Sequence, residues 1–136
     1  MEPSRSEAKL NVLVVDDNDC VREVLTALLS RKGHRCESAT NGVEVMVKVT
    51  QSRFDVVVTD VLMPKMDGIT LTRKLTQNFS HLPVIVMTAQ LDEDSAETAF
   101  MAGARDVISK PFEISEFMVR LHKMLDIKNL NGERRA

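Results

Sequence analysis

Residues 56–68 read VVVTDVLMPKMDG, and the order of residue types in this stretch decides the fold. Three consecutive valines without polar alternation describe a strand buried on both faces, as in a parallel sheet covered by helices. Asp60 follows that run, Pro64 stiffens the loop beyond it, and Asp67-Gly68 reads as a turn that opens a helix. An acid at the carboxyl end of a buried parallel strand stands where open α/β sheets carry their chemistry.

The same alternation of short apolar runs and longer helical stretches extends in both directions. Strands are expected at Val12–Val15, Arg35–Ala39, Val56–Thr59, Val84–Met87 and Asp106–Ser109. Val21, Val24, Leu25, Leu28 and Leu29 follow helical spacing, and Ile114, Phe117, Leu121, Met124 and Leu125 trace a similar stripe. Three shorter helices fit at Val43–Thr50, Ile69–Gln77 and Ser95–Met101, with Gly33 and Gly103 placed to end helices in a left-handed turn. The result is an α/β chain of five βα units with right-handed crossovers, a flavodoxin-like doubly wound parallel sheet of strand order 2-1-3-4-5.

A length of 136 residues fits one domain, expected at residues 10–127 between an N-terminal extension, 1–9, and a C-terminal tail, 128–136. Eighteen Lys and Arg against twenty Asp and Glu leave a net charge of −2, so no global positive field draws in nucleic acid or an acidic membrane. Cys20 and Cys36 lack metal-type or disulfide-framework spacing and read as packing residues. The first ten residues lack the apolar core of a signal peptide, and no apolar run approaches the ~20 residues of a membrane span, so a cytoplasmic protein is expected.

The positions just beyond the strands are acidic, then hydroxyl, then ammonium: Asp16, Asp17 and Asp19 after the first, Asp60 after the third, Thr88 after the fourth, Lys110 after the fifth. Neighbouring parallel strands would gather Asp16, Asp17 and Asp60 in one pocket, where like charges repel unless a cation intervenes. Oxygen-only ligands suit Mg²⁺, or Mn²⁺ in its place, with room for waters and phosphate oxygens. Lys110 offers a compact positive charge to a phosphoryl oxygen and Thr88 a hydroxyl to another. A carboxylate is a sufficient nucleophile toward an activated phosphoryl group, because such transfer depends mostly on positioning and charge neutralisation. Asp60 is the candidate nucleophile.

Four segments in order, Leu13–Asp19 (LVVDDND), Thr59–Gly68 (TDVLMPKMDG), Val84–Ala89 (VIVMTA) and Ser109–Phe112 (SKPF), resemble the receiver domain of two-component response regulators, including the single-domain chemotaxis regulator. That resemblance implies that Asp60 accepts a phosphoryl group from the phosphohistidine of a sensor kinase or phosphotransfer protein. It implies direct Mg²⁺ contacts from Asp17, Asp60 and the Leu62 backbone carbonyl, with Asp16 acting largely through water. It also assigns Lys110 to the phosphoryl group, Thr88 to a switch that moves residues Thr88–Glu97, and the output to a surface over about Asp92–Asp126. A chain of this kind is a signalling switch rather than an enzyme, catalysing its own phosphorylation and slow dephosphorylation. A phosphatase, a downstream protein target and a homodimer of the phosphorylated form complete the expected partners.

Several positions depart from the family pattern. The usual aromatic three residues before the lysine is Val107, which leaves Thr88 and its loop to carry the coupling. Leu62 and Gln90 flank the expected path of the hydrolytic water; Leu62 shields but cannot orient it, so decay slower than in Leu62→Asn is expected. Asp19 reads as the cap of the first long helix. Pro111 follows the lysine as in the family dipeptide with a cis bond, which would aim Lys110 into the pocket. His34, His81 and His122 lie outside that pocket. Three other readings compete: a degenerate receiver used for docking, a phosphohydrolase using Asp17 and Asp19 as an Asp-x-Asp pair, and a flavin binder. The acidic loop and the lack of Trp and Tyr oppose the last.

Overall fold

The computed structural model describes residues 9–89 and 92–135, with side chains as far as Met124. Strands β1 (Asn11–Val15), β2 (Arg35–Ala39), β3 (Val56–Asp60), β4 (Val84–Thr88) and β5 (Asp106–Ser109) alternate with helices α1 (Asp19–Arg31), α2 (Gly42–Gln51), α3 (Gly68–Asn78), α4 (Glu93–Ala102) and α5 (Ile114–Arg135). All strand pairs are parallel, in the order β2-β1-β3-β4-β5, as expected.

The unbroken apolar runs serve two cores because successive strand residues point to opposite faces. Val12, Val14, Val56, Val58, Ile85, Met87 and Ile108 meet Leu25 and Leu29 of α1 and Phe117, Met118, Leu121 and Met124 of α5. The intervening residues, among them Leu13, Val15, Val57, Val86 and Val107, meet α2, α3 and α4 through Val45, Val49, Leu71, Leu75 and Ala99. Met124 is core, as its place in the helical stripe suggested, Met118 is core beside it, and Met46 packs on the second core.

Local chemistry sets the helix ends. Asp67 caps α3 by accepting from the Thr70 amide, Asn41 caps α2 and Asp92 caps α4. Gly103 ends α4 at φ 113°, a left-handed conformation that favours glycine. The cap of α1 differs from expectation: it is Asn18, whose side chain accepts from the Val21 amide. Asp19 is the first helical residue and pairs instead with Arg22. Asn18 wins because its extended backbone points its side chain back at the first turn. Cys36 packs against the first core as expected, but Cys20 is exposed, because the early turns of α1 turn one side to solvent.

β3 and β4 each run one residue further than anticipated, because Asp60 pairs with Met87 and Thr88 with Ser109 in the ladder. α5 continues past residue 127 to Arg135. Residues 1–8 of the expected extension, Gln90 and the side chain of Leu125 lie outside the described residues.

Candidate functional site

Sheet register brings the expected residues together. Val15 pairs with Thr59, so the chain leaves β1 at Asp16 beside Asp60; Asp60 pairs with Met87 and Thr88 with Ser109, which sets Lys110 just beyond. β1 is flanked by β2 and β3, and the switch in strand order falls there, which opens the crevice that holds ligands in such sheets. Asp16, Asp17 and Asp60 each present a carboxylate oxygen within 4.8 Å of the others. That oxygen-only set fits a hard divalent cation, and it is the grouping the sequence pointed to.

The acids differ in environment. Asp16 is buried, with one carboxylate oxygen accepting from the Asn18 amide at 2.9 Å and the other from Lys110 Nζ at 2.8 Å. Asp17 is exposed and Asp60 lies between the two extremes. Burial pushes the Asp60 carboxyl above the ordinary carboxylate range, and the Asp16 charge pushes it further, against the opposing pull of Lys110 3.4 Å away. Burial alone would lower the Lys110 ammonium; its hydrogen bond to Asp16 and the charge of Asp60 outweigh that and raise it. Lys110 is therefore a fixed cation between two carboxylates.

Asp60 is held by its own loop. The Val61 amide donates to Asp60 Oδ1 at 2.9 Å, and the Gly68 amide returns to the Val61 carbonyl at 2.7 Å. A Cβ on Gly68 would stand 2.0 Å from the Asp60 carbonyl oxygen, so only glycine lets α3 start this close to the site. Leu62, two residues after Asp60, is 76% exposed. Thr88 is buried at the end of β4, and its carbonyl accepts from the Lys110 amide at 2.7 Å. The Lys110-Pro111 peptide is cis, the isomer the resemblance implied.

A family model for the response regulator receiver domain matches residues 12–122. The chain belongs to that family. Receiver domains are units of two-component signalling, and curated relatives carry a similar stretch within longer proteins. The DNA-binding transcriptional regulator NtrC of Escherichia coli K12 is 39% identical over 114 residues, 84% of this chain and 24% of NtrC. The response regulator MprA of Mycobacterium sp. strain KMS is 38% identical over 116 residues, 85% of this chain and 50% of MprA. The chain thus spans about a quarter to a half of these relatives. Among solved structures, a response regulator receiver domain protein from Clostridium thermocellum superposes with a TM-score of 0.83 at 28% identity, covering 89% of this chain and 98% of that one.

Within the receiver domain, Val107 is buried in the second core rather than poised at a surface, and Gln90 lies outside the described residues. None of the three histidines joins the acidic group, but His34 and His122 lie close enough to influence one another, with both Nε2 atoms buried and without hydrogen-bond partners among the described residues. Sequence reasoning missed that pair, whose members are far apart in the chain, and missed Arg22. The Arg22 guanidinium donates to the Asp16 carbonyl at 2.7 Å while pairing with Asp19. The only signal for it was an acid three residues earlier on a helix.

Proposed function

We propose that the chain is a Mg²⁺-dependent phosphoacceptor, in which Asp60 takes a phosphoryl group from the phosphohistidine of a sensor histidine kinase or phosphotransfer protein. The observation that carries this reading is the meeting of three carboxylates with Lys110 at the strand-order switch. In the transfer, an Asp60 oxygen forms the new bond to phosphorus as the bond from phosphorus to the histidine nitrogen breaks. Asp16, Asp17, Asp60 and the Leu62 carbonyl would hold the metal, which supplies neutralisation of phosphoryl charge when bound. Lys110 takes another phosphoryl oxygen, and its long-standing partners Asp16 and Asp60 keep it in place before the donor arrives.

The Thr88 hydroxyl then binds the phosphoryl group and draws the β4–α4 loop with it, changing the α4-β5-α5 surface that meets a downstream protein target or an effector domain. With Val107 fixed in the core, this loop carries the signal without an aromatic partner. The chain catalyses its own phosphorylation and a slow dephosphorylation, with Leu62 shielding the acyl phosphate. An apolar groove beside Lys110, lined by Val21, Val24, Leu25, Leu28, Phe112 and Ile114, supports docking of the donor protein next to the site. No helix among the described residues is long and apolar enough to cross a membrane.

Mass analysis after incubation with Mg²⁺ and a small phosphodonor tests the proposal. A single phosphoryl adduct is expected on the natural chain and none on Asp60→Asn. An adduct that survives in Asp60→Asn removes Asp60 from its role.

A further inference from the structure

We propose that Arg22 is a positioning residue for the cation site, acting through the peptide unit between Asp16 and Asp17. The inference rests on the reading of Asp16, Asp17 and Asp60 as metal ligands.

The argument begins with what a peptide bond fixes. The carbonyl of Asp16 lies in one plane with the amide and Cα of Asp17, so a group that orients this carbonyl orients the unit joining two acids of the site. Arg22 Nη1 donates to that carbonyl at 2.7 Å. On the other side of Asp16, its own amide donates to the Ala39 carbonyl at 3.2 Å. Asp16 is therefore held at both flanking peptide planes. Its carboxylate is separately engaged by the Asn18 amide and Lys110, so Asp17, with its exposed side chain, depends on the backbone for its direction.

Arg22 suits this task for three reasons. Its side chain is only 14% exposed, so it is a settled part of the site's wall. It closes the first turn of α1, whose backbone is fixed by the Asn18 cap and whose core face is anchored by Leu25 and Leu29. Its planar fork serves two acceptors at once, the Asp16 carbonyl with one nitrogen and the Asp19 carboxylate with the other. Asp19 balances the charge of Arg22, which allows a cation to hold the loop of a cation site with little repulsion of the metal. That gives Asp19 a role as well, as the counter-charge of Arg22 rather than the helix cap.

Charge and position predict opposite signs for removing Arg22. By Coulomb's law alone, deleting a positive group near an acidic pocket tightens binding of a divalent cation. If the group positions the ligands, its loss weakens binding, and groups that orient metal ligands are typically worth about 10–100-fold in affinity.

The experiment is direct titration of the unphosphorylated full chain with Mn²⁺, followed by electron paramagnetic resonance, on the natural protein, Arg22→Met, Arg22→Lys and Asp60→Asn. Weakening of about tenfold is expected in Arg22→Met, with partial recovery in Arg22→Lys, which keeps the charge but not the fork. Unchanged or tighter binding in Arg22→Met overturns the role of Arg22. Should Arg22→Met fail to fold, Arg22→Lys decides alone: weaker binding supports positioning, and binding equal to the natural protein contradicts it. Binding by the natural protein that does not change in Asp60→Asn would instead contradict the ligand assignment, whatever Arg22 does.

Discussion

The loop after β1 and the helix after β4 each follow the carboxyl end of an interior strand and are held very differently. Residues Asp16–Asp19 are tied to β2 through the Ala39 carbonyl, to α1 through Asn18 and Arg22, and to the end of β5 through Lys110. α4 buries only Ala99 and Ala102 of its own side chains, while Phe100 and Met101 face solvent. α5, by contrast, sinks Phe117 and Leu121 completely, and burial of such a side chain contributes about 1.5–3 kcal/mol, several times what a methyl group can offer. The acidic loop is over-determined; α4, which carries the signal in the proposed function, is lightly attached. Segments with little buried apolar area open at the lowest cost, which suits α4 to a moving part and α1 to a fixed one.

The largest expected effect tests the fixed end. Gly68→Ala forces a Cβ against the Asp60 carbonyl, and about 2–4 kcal/mol of stability should be lost, with slower formation of the phosphoryl adduct. Urea unfolding and the rate of adduct formation measure both; an alanine variant as stable and as fast as the natural protein would show that the close start of α3 is not needed to hold Asp60.

A smaller effect concerns the face where α1 and α5 meet the sheet. His34 Nδ1 accepts from the Leu10 amide at 3.2 Å, and its imidazole is buried. Burial lowers its affinity for protons below the ordinary histidine value of 6.5, and the nearby His122 lowers it further. The unfolded chain therefore binds protons more readily. Stability from the neutral ring is complete above the unfolded value and is lost as pH falls through 6.5 and on through the lower folded value. Between pH 7.5 and 5.5 the natural protein should lose about 2–4 °C of unfolding temperature more than His34→Asn, whose amide oxygen can replace the Nδ1 acceptor. Parallel losses in the two proteins would mean that this face does not sense protons.

Much of this molecule was legible in its sequence. Uninterrupted apolar runs at β1, β3 and β4 required cover on both faces, and a parallel sheet of this order brings the acids and lysine after the strands together. Boundaries slipped by one or two residues where polar groups joined a strand or helix, as at Asp60, Thr88 and Glu93, because ladder pairing and capping do not depend on hydrophobicity. What remained hidden were contacts with backbone or across long separations. Arg22 binds a carbonyl, which every residue has, and Gly68 is required by a carbonyl from another element. His34 and His122 come near one another only because α5 packs on the same face of the sheet as α1. The choice between Asn18 and Asp19 as cap turned on backbone angles that two adjacent capping residues leave open.

The contrast between the two ends is tested most directly by amide hydrogen exchange of the full chain with Mg²⁺, with and without the phosphoryl mimic beryllofluoride. The account predicts that the mimic changes exchange in the β4–α4 loop and α4 and leaves the amides of α1 close to their starting rates. Equal changes in α1 and α4, or no change in α4, would contradict it.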